Sequence, residues 1–579
     1  MSLSTFLVSL FACFCIVGSA ARGLYNTASS ITDQTSILER IIWNDRSIDA
    51  GALNFTPCFP TPANDTNQAH WQCGYLDVPL DYTNASDSRT ARIALVMYQA
   101  GETKSNRTIV VNPGGPGASG TQTAWFYGEK WSKDYSDGTF DVLGFDPRGI
   151  NMSVPSSSCY NSDAYRDRWS SLAFQVPDTV SNGDLDVRAG QKALNTTDLY
   201  FQAIWGACEQ RNGDFSRFIT TAFVSRDVDR LREALGEEEL TAIVFSYGTN
   251  LMQTYAAMFP QRVGRIILDG VQSARLARSP FGWGNSTDGN ALNSFYEGFL
   301  GGCTKAGPDL CELAELNGTV QTSESLKGRV NEVLAELRKL PQAAWHPELG
   351  AGLVTYESLV NILFTSMYSP GSWSRTAKML KGLLEGNNTL TFAAHEWQYD
   401  PVEGDTVHAY SWPGIEAPQA TTAELIYQIV CADSYDYKRE PWNYWLDFYQ
   451  AARNRSWIWP DSFFQVILAC RTYNNSFGPP KEVYRGNFTA KLKNPLLLVG
   501  GTHDPVTPIF NVRLVQDEWG KENIRTVLHH GYGHTAIKDP SNCTESIKRD
   551  VILNGKWPGP DEERECFADQ KPFEKHPAA

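Results

Sequence analysis

The hydrophobic positions of the chain form short β-branched runs separated by segments with helical spacing. The run Ala242–Phe245 is apolar, stops abruptly at Ser246-Tyr247-Gly248, and is followed by a helix-compatible segment, Leu251–Met258. This order predicts a buried strand, a sharp turn with a serine at its apex, and a helix. A turn of this kind holds a serine hydroxyl clear of the backbone, where a base can reach it.

Predicted strands and helices also alternate on both sides of this turn. A helix with apolar spacing is predicted at 225–235, directly before the strand that ends at Phe245. Because strands and helices alternate, the pattern predicts an α/β fold with a mostly parallel sheet covered by helices. Further strands are predicted at 73–82, 91–100, 108–111, 140–145, 263–270, 495–501 and 524–528.

Between 275 and 485 the strand-like runs become rare and tryptophans become frequent. Helical segments are predicted there at 323–340, 356–367 and 422–429. We therefore expect a largely helical cap inserted into the sheet domain. The resulting organisation is a signal peptide at 1–20, core segments at 21–274 and 486–579, and a cap at 275–485.

The N-terminus carries a short apolar run, Thr5–Val17, followed by small residues. This predicts a secretory signal peptide, although no Lys or Arg precedes the run. A membrane anchor is the alternative, but the run is too short to span a bilayer comfortably. A helix is also predicted around 36–44.

Composition and charge narrow the possible partners. The 579 residues are 42% hydrophobic and 20% charged, with a formal net charge of −15 and a pI near 5.2. A chain this acidic is a poor partner for nucleic acid or an anionic membrane. We expect a globular protein without stable membrane insertion, and the sequence leaves its oligomeric state open.

Cysteines and glycosylation motifs agree with an exported protein. Removal of the signal peptide would take two of the twelve cysteines and leave an even set, which predicts five disulfides, with neighbours along the chain as the expected pairs. The remaining cysteines are Cys58, Cys73, Cys159, Cys208, Cys303, Cys311, Cys431, Cys470, Cys543 and Cys566. The glycosylation motifs begin at Asn54, Asn64, Asn84, Asn106, Asn151, Asn195, Asn285, Asn317, Asn387, Asn454, Asn474, Asn487 and Asn542.

A glycine-rich loop, Gly114–Gly120, follows the predicted strand at 108–111. It matches the G-x-G-x-x-G pattern of dinucleotide sites, but it does not open a first βαβ unit, and Pro116 lacks an N–H that a pyrophosphate would need. A plain turn is also possible. The favoured interpretation is an oxyanion loop, in which the N–H groups of Gly115 and Tyr247 hold a developing negative charge.

Two more polar residues follow predicted strands near the C-terminus. Asp504 lies in a Gly- and Pro-rich loop, and His534 lies in the Gly-flanked loop after the next strand. The order Ser246, Asp504, His534 is that of α/β-hydrolases, with a nucleophile, an orienting carboxylate and a base. His529, His530 and His534 could suggest a metal site, but their spacing fits no established pattern of metal ligands. We therefore expect neither a metal nor a cofactor.

Several motifs together resemble the secreted tripeptidyl-aminopeptidase-like branch of the prolyl aminopeptidase group of α/β-hydrolases, over roughly residues 55–570. They are Asn112-Pro-Gly-Gly-Pro-Gly117, Asp146-Pro-Arg-Gly149, Phe245-Ser-Tyr-Gly-Thr249, Phe259-Pro-Gln-Arg-Val263, Leu268-Asp-Gly-Val271, Asp504-Pro-Val-Thr-Pro508 and Gly531-Tyr-Gly-His534.

The resemblance implies that Ser246, His534 and Asp504 form the catalytic triad and that peptides are cleaved from a free N-terminus. It also implies that Asp433, in Cys431-Ala432-Asp433, binds the substrate ammonium group. The alternative for Asp433 is a structural or solvated carboxylate.

Val244 departs from the family, which usually has glycine at this position. A β-branched side chain there is expected to strain or widen the turn. The leading hypothesis remains a secreted serine hydrolase that acts on peptides through an acyl-enzyme. An esterase or lactonase acting on small or apolar acyl groups is the close alternative. A catalytically silent recognition protein is the alternative from another class.

Overall fold

The computed structural model describes residues 53, 55–58, 70–160, 165–166, 180–181, 184–185, 187–288, 290–396, 423–437 and 439–574. All of them belong to one compact unit, Leu53–Ala579. The predicted signal peptide, the helix at 36–44, and the motifs at Asn54 and Asn64 lie outside the described residues.

A ten-stranded sheet organises the described part of the chain, with the strand order β1-β2-β3-β5-β4-β6-β7-β8-β9-β10. Antiparallel pairs join β1, β2, β3 and β5, whereas every other pair is parallel. The strands are β1 Thr56–Pro57, β2 Trp71–Pro79, β3 Thr90–Tyr98, β4 Thr108–Asn112, β5 Asp141–Phe145, β6 Leu240–Phe245, β7 Val263–Asp269, β8 Leu496–His503, β9 Ile524–Tyr532 and β10 Glu563–Phe567.

The central strands are buried on both faces. Every residue of β4, β5 and β6 is buried, which is why their sequences are continuous apolar runs rather than alternating ones. Helices cover both sides of such a sheet. The helices that precede the cap are α1 Gly120–Ser136, α2 Val187–Asn212, α3 Thr221–Ala234 and α4 Tyr247–Met258.

The described residues between β7 and β8 are largely helical, as the sequence predicts. A short hairpin pairs Gln342–His346 with Gly350–Val354, and a π-helical turn spans Ser294–Leu300. The cap boundaries, 275 and 485, stay a prediction. The helices are α5 Pro280–Thr287, α6 Ala291–Asn293, α7 Gly301–Ala306, α8 Ser323–Lys339, α9 Tyr356–Met367, α10 Trp373–Leu384, α11 Thr389–Glu396, α12 Ala423–Asp433, α13 Trp442–Arg455, α14 Ile458–Leu468 and α15 Cys470–Ser476.

The last part of the chain returns to the sheet, with α16 Ile509–Trp519 between β8 and β9 and α17 Asn542–Arg549 before β10. Parallel pairing aligns Phe245 of β6 with Asp269 of β7, and Asp269 with Val499 of β8. The loops that follow these strands therefore leave the sheet at the same edge. In an open α/β sheet this carboxyl edge is where ligands bind.

Five disulfides join neighbouring cysteines, which confirms the expected pairing. They are Cys58–Cys73, Cys159–Cys208, Cys303–Cys311, Cys431–Cys470 and Cys543–Cys566. Among the described residues, no helix is long and apolar enough to cross a membrane.

The side-chain amide nitrogens of Asn151 and Asn474, two of the predicted glycosylation asparagines, donate internal hydrogen bonds. The side-chain amide of Asn151 donates to Asp146, and that of Asn474 donates to the carbonyl of Tyr435. A sugar replaces one of the two hydrogens on the amide nitrogen, so it would remove one of the two bonds of Asn151, which also donates to Ser119. Use of the remaining described motifs stays a prediction.

Arg148, from the Asp146-Pro-Arg-Gly149 turn, is fully buried against Asp227 of α3. Its guanidinium donates twice to Asp227, at 2.6 and 2.7 Å. The remaining donors bind the backbone carbonyls of Pro79, Leu80 and Phe218. All five N–H groups are therefore satisfied, and the turn is held against α3 and the end of β2.

We predict that Arg148→Met lowers the free energy of unfolding by about 3–5 kcal/mol, because it leaves the Asp227 carboxylate buried without its cation. Denaturant titration measures the loss. The matched control is Arg230→Met, which breaks an exposed ion pair with Glu233 on the same helix and should cost about 1 kcal/mol or less. Equal losses in both variants would contradict the assigned role of Arg148.

Candidate active site

The predicted turn from strand to helix with Ser246 at its apex, here called the elbow, is present at the end of β6. Ser246 has a φ of 54° and a ψ of −127°, a left-handed conformation that is unusual for a residue other than glycine. Its N–H donates to the carbonyl of Asp269 at 3.0 Å. The helix α4 begins directly at Tyr247, four residues earlier than predicted, because Ser246 alone completes the change of direction.

Val244 fits into the elbow. It is fully buried, and it pairs regularly with Asn112 of β4 and Leu268 of β7. A Cβ at Gly248 would lie 3.2 Å from the Cβ of Val244 and 2.9 Å from the side-chain oxygen of Asn112. Gly248 therefore provides the space that Val244 occupies. The effect of Val244 on catalysis remains a prediction.

The glycine-rich loop lies against this turn. A Cβ at Gly114 would come within 2.9 Å of both the Tyr247 nitrogen and the Ser246 Cβ, so only glycine permits this approach. Gly115 follows with a φ of 102°. The N–H of Tyr247, as the first of its helix, has no acceptor inside the helix. The structure thus brings Gly114, the residue before Gly115, against the turn formed by Ser246 and Tyr247, and the oxyanion role of Gly115 and Tyr247 stays a prediction.

Asp504 and His534 are in direct contact. The Nδ1 atom of His534 lies 3.0 Å from both carboxylate oxygens of Asp504. Asp504 is fully buried, whereas the His534 side chain keeps 11% of its exposure. With Nδ1 oriented toward the carboxylate, Nε2 is the ring nitrogen that remains for exchanging a proton with a substrate or a serine.

The Asp504 carboxylate accepts further hydrogen bonds from its own loop and from the His534 loop. The donors are the N–H groups of Val506, Thr507 and Thr535 and the hydroxyl of Thr507, at 2.8–3.0 Å. Burial alone would raise the pKa of Asp504. The charge of His534 and these hydrogen bonds lower that pKa by more than burial raises it. The pKa of Asp504 therefore lies below its ordinary value, and the group stays ionised.

A second buried carboxylate, Asp269 at the end of β7, connects the serine and histidine loops. Its backbone carbonyl accepts from the N–H of Ser246 at 3.0 Å. Its side chain accepts from the N–H of Ala536 at 2.9 Å and from Lys548 at 2.7 Å. Both Asp269 and Lys548 have fully buried side chains. Burial alone would lower the pKa of Lys548. The charges of Asp269 and Glu545 raise that pKa by more than burial lowers it, so the amine stays charged.

The histidines that suggest a metal site lie in different surroundings. The Nδ1 atom of His529 lies 3.0 Å from the hydroxyl of Thr544, and His530 stacks on Phe567. Only His534 contacts Asp504. The part of the chain that the structure describes contains no group of His, Cys, Asp and Glu side chains arranged to hold a metal ion.

Asp433 lies in a buried network. It is 3% exposed, accepts from the N–H of Thr221 at 3.0 Å and from the Thr221 hydroxyl, and pairs with Arg278 at 3.4 Å. The Thr221 hydroxyl also lies 2.6 Å from the phenol of Tyr247. A substrate ammonium group would have to compete with these partners, so the substrate-binding role of Asp433 stays a prediction.

Sequence reasoning does not identify Tyr368, which belongs to the cap. Its carbonyl accepts from the N–H of His534 at 2.9 Å, and its ring meets the imidazole edge to face, with centroids 5.2 Å apart. Thr507 is also missed as a site residue. For Thr507 the Asp-Pro-Val-Thr-Pro motif offers a signal, whereas nothing near Tyr368 in sequence indicates a contact with position 534.

The lowered pKa of Asp504 makes stability depend on pH. Asp504 ionises in the unfolded chain near pH 3.9 and at lower pH in the folded protein. The ionised carboxylate therefore stabilises the fold fully above pH 4, and this contribution disappears as the pH falls through the folded pKa.

We predict that Asp504→Asn is less stable than the wild type at neutral pH and that the difference shrinks below pH 4. Unfolding titrations between pH 3 and pH 7 measure it. A difference that does not change with pH would contradict the assignment. If Asp504 also orients His534, kcat should fall by about 10⁴-fold.

We predict that Lys548→Met lowers the free energy of unfolding by about 3–5 kcal/mol, since Asp269 is left buried without a cation. The double variant Lys548→Met/Asp269→Asn should regain part of the loss, because asparagine is neutral and keeps an acceptor for Ala536. The exposed Lys556 supplies the control, and Lys556→Met should change stability by about 0.5 kcal/mol or less. A double variant less stable than the single one would contradict the pairing.

Comparison with known proteins places this geometry in a family. The family described as alpha/beta hydrolase fold matches residues 107–301, and the family described as TAP-like protein matches residues 460–566. The first match contains the elbow and the glycine-rich loop, and the second contains Asp504 and His534.

Individual relatives extend the match. The serine protease Hip1 of Mycobacterium tuberculosis is 34% identical over 219 residues, which are 38% of this chain and 39% of that protein. The tripeptidyl aminopeptidase of Streptomyces lividans is 26% identical over 84% of this chain and 82% of its own length. A carboxylesterase B of M. tuberculosis is 25% identical over 84% of this chain and 85% of its own. The chain thus has the α/β-hydrolase fold and is similar to TAP-like proteins.

Proposed function

We propose that the protein is a secreted serine peptidase that removes short N-terminal pieces from peptides through an acyl-enzyme. The observation that carries the proposal is that a serine elbow and a buried Asp–His pair lie at the same edge of the sheet, where Asp269 binds both the serine turn and the histidine loop. The likeness to a tripeptidyl aminopeptidase over most of both chains supports the choice of peptides as substrates.

In the proposed mechanism the hydroxyl of Ser246 attacks the carbonyl carbon of the scissile bond while Nε2 of His534 accepts its proton. The N–H groups of Gly115 and Tyr247 stabilise the negative oxygen that forms. His534, held by Asp504, then gives the proton to the leaving amine, and the acyl-enzyme remains. Water, deprotonated by His534, attacks the ester and releases Ser246.

A secretory route is proposed on two observations. The chain begins with an apolar run followed by small residues, and five disulfides join the cysteines beyond it. Disulfides of this number form and persist in oxidising compartments. The domain organisation proposed with it is a signal peptide at 1–20, a core at 21–274 and 486–579, and a cap at 275–485.

An esterase with the same triad is the second candidate. It is favoured by the likeness to a carboxylesterase over most of the chain. It is also favoured by Asp433, whose oxygens already have partners in the folded protein. An ester substrate requires no ammonium acceptor, so this function would leave Asp433 as a purely structural residue.

A catalytically silent recognition protein is the third candidate, and Val244 was its main support. Because Gly248 leaves room for the Val244 side chain, the elbow keeps its geometry, and this support is weaker than the sequence suggests. A binding protein would also have no need for a buried carboxylate in contact with a histidine at the sheet edge that carries the serine elbow.

The two enzymatic functions differ in their dependence on a free α-amine. We predict that a tripeptide amide with a free N-terminus is hydrolysed at least about 100-fold faster than its acetylated form, because the ammonium group would be bound by a charge-assisted contact. Steady-state kcat/KM for the two substrates measures the ratio. The variant Ser246→Ala should lower kcat by roughly 10⁴–10⁶-fold on both.

Equal rates on the free and acetylated substrates, with fast cleavage of simple esters, would contradict the aminopeptidase and favour the esterase. No turnover of any of these substrates by folded wild-type protein would contradict both enzymatic functions.

A further inference from the structure

A cavity of about 290 Å³ lies inside the cap, between helices α9, α12 and α14. Its walls are mostly apolar, and none of the lining residues that the structure describes carries a formal charge. Aromatic and aliphatic side chains dominate, among them Phe364, Tyr368, Ile426, Phe463 and Val466. A cavity about half this size is large enough to hold benzene in another protein, so an aromatic or branched side chain fits here.

Tyr368 connects this cavity to the candidate active site. It lines the cavity, and its ring packs edge to face on the imidazole of His534. Its carbonyl accepts the N–H of His534. A Cβ at Gly533 would lie 2.9 Å from the same carbonyl oxygen, so the histidine loop approaches the cap closely. The cavity is therefore adjacent to the histidine side of the site.

In an acyl transfer the histidine donates its proton to the leaving group, so the leaving group must lie against the imidazole. The acyl group, by contrast, is bonded to the serine. We infer that the cavity binds the side chain of the residue that follows the scissile bond, and that it selects uncharged apolar side chains. This inference rests on the proposed peptidase function.

A second cavity in the cap makes the contrast clear. It has a volume of about 150 Å³ and is lined by Arg439, Glu440 and Arg471, among others. Charged walls of this kind suit polar groups, and none of its described lining residues contacts His534. Burial of an apolar side chain in the larger cavity removes it from water, whereas burial of Lys or Asp there would leave a charge without a partner.

The test uses peptides that share one acyl tripeptide and differ only in the residue after the scissile bond, which is Gly, Leu, Phe, Lys or Asp. The measured quantity is kcat/KM from the rate of product release. We expect Leu and Phe to exceed Gly by at least about tenfold, and Lys and Asp to be no better than Gly.

The variant Thr365→Trp fills the cavity from an exposed position on its lining. It should reduce the preference for Leu and Phe to less than about threefold. It should leave unchanged the hydrolysis of a methyl ester of the same acyl tripeptide, because methanol does not reach the cavity.

Ser374→Trp is the matched control, since Ser374 is exposed on the neighbouring helix α10 and is not among the cavity's described lining residues. If Thr365→Trp does not fold, Ile426→Phe narrows the cavity from the opposite helix.

Each outcome decides the inference. Equal rates for all five peptides in the wild type would overturn it, as would a Leu and Phe preference that survives in the filled variant. A filled variant that loses the methyl ester as well would assign the cavity to the acyl group and also overturn it. Turnover of neither peptides nor ester by folded wild type would instead overturn the proposed function, and the inference with it.

Discussion

The arrangement of the site depends on the buried ion pair between Asp269 and Lys548. Asp269 ends the strand beside the elbow, holds the serine turn through its carbonyl, and holds the histidine loop through its carboxylate. Lys548, from the helix α17, compensates the buried charge. Without this cation the carboxylate would be an uncompensated buried charge, which would weaken the anchor that the two loops share.

This constraint explains why two carboxylates at neighbouring strand ends have different roles. Asp269 is paired with a lysine and binds backbone, whereas Asp504 has no lysine partner among its described contacts and faces His534. Of these two carboxylates, only Asp504 contacts the imidazole. The cap adds a further contact, from Tyr368, so that the histidine loop is held by the sheet on one side and by the cap on the other.

Much of the fold follows from the sequence, because buried parallel strands are continuous apolar runs that are easily recognised. The strand at 240–245, the helix at 356–367 and all five disulfide pairs are examples in which pattern and structure agree. The short strands β1 and β10 are missed, since edge strands carry little apolar signal. Asp504 and His534 are predicted by their positions after strands, and their contact follows from the parallel order of those strands.

The remaining features depend on contacts between distant parts of the chain, and sequence pattern does not encode these. Tyr368 meets a residue far along the chain, Val244 is accommodated by a missing side chain at Gly248, and Asp433 has buried partners on α3 and near α5. The catalytic assignment of Ser246 is tested most directly by peptide mapping of the protein after reaction with a fluorophosphonate. We expect one adduct, on Ser246; an unreacted, folded protein or an adduct on another residue would exclude Ser246 as the activated nucleophile.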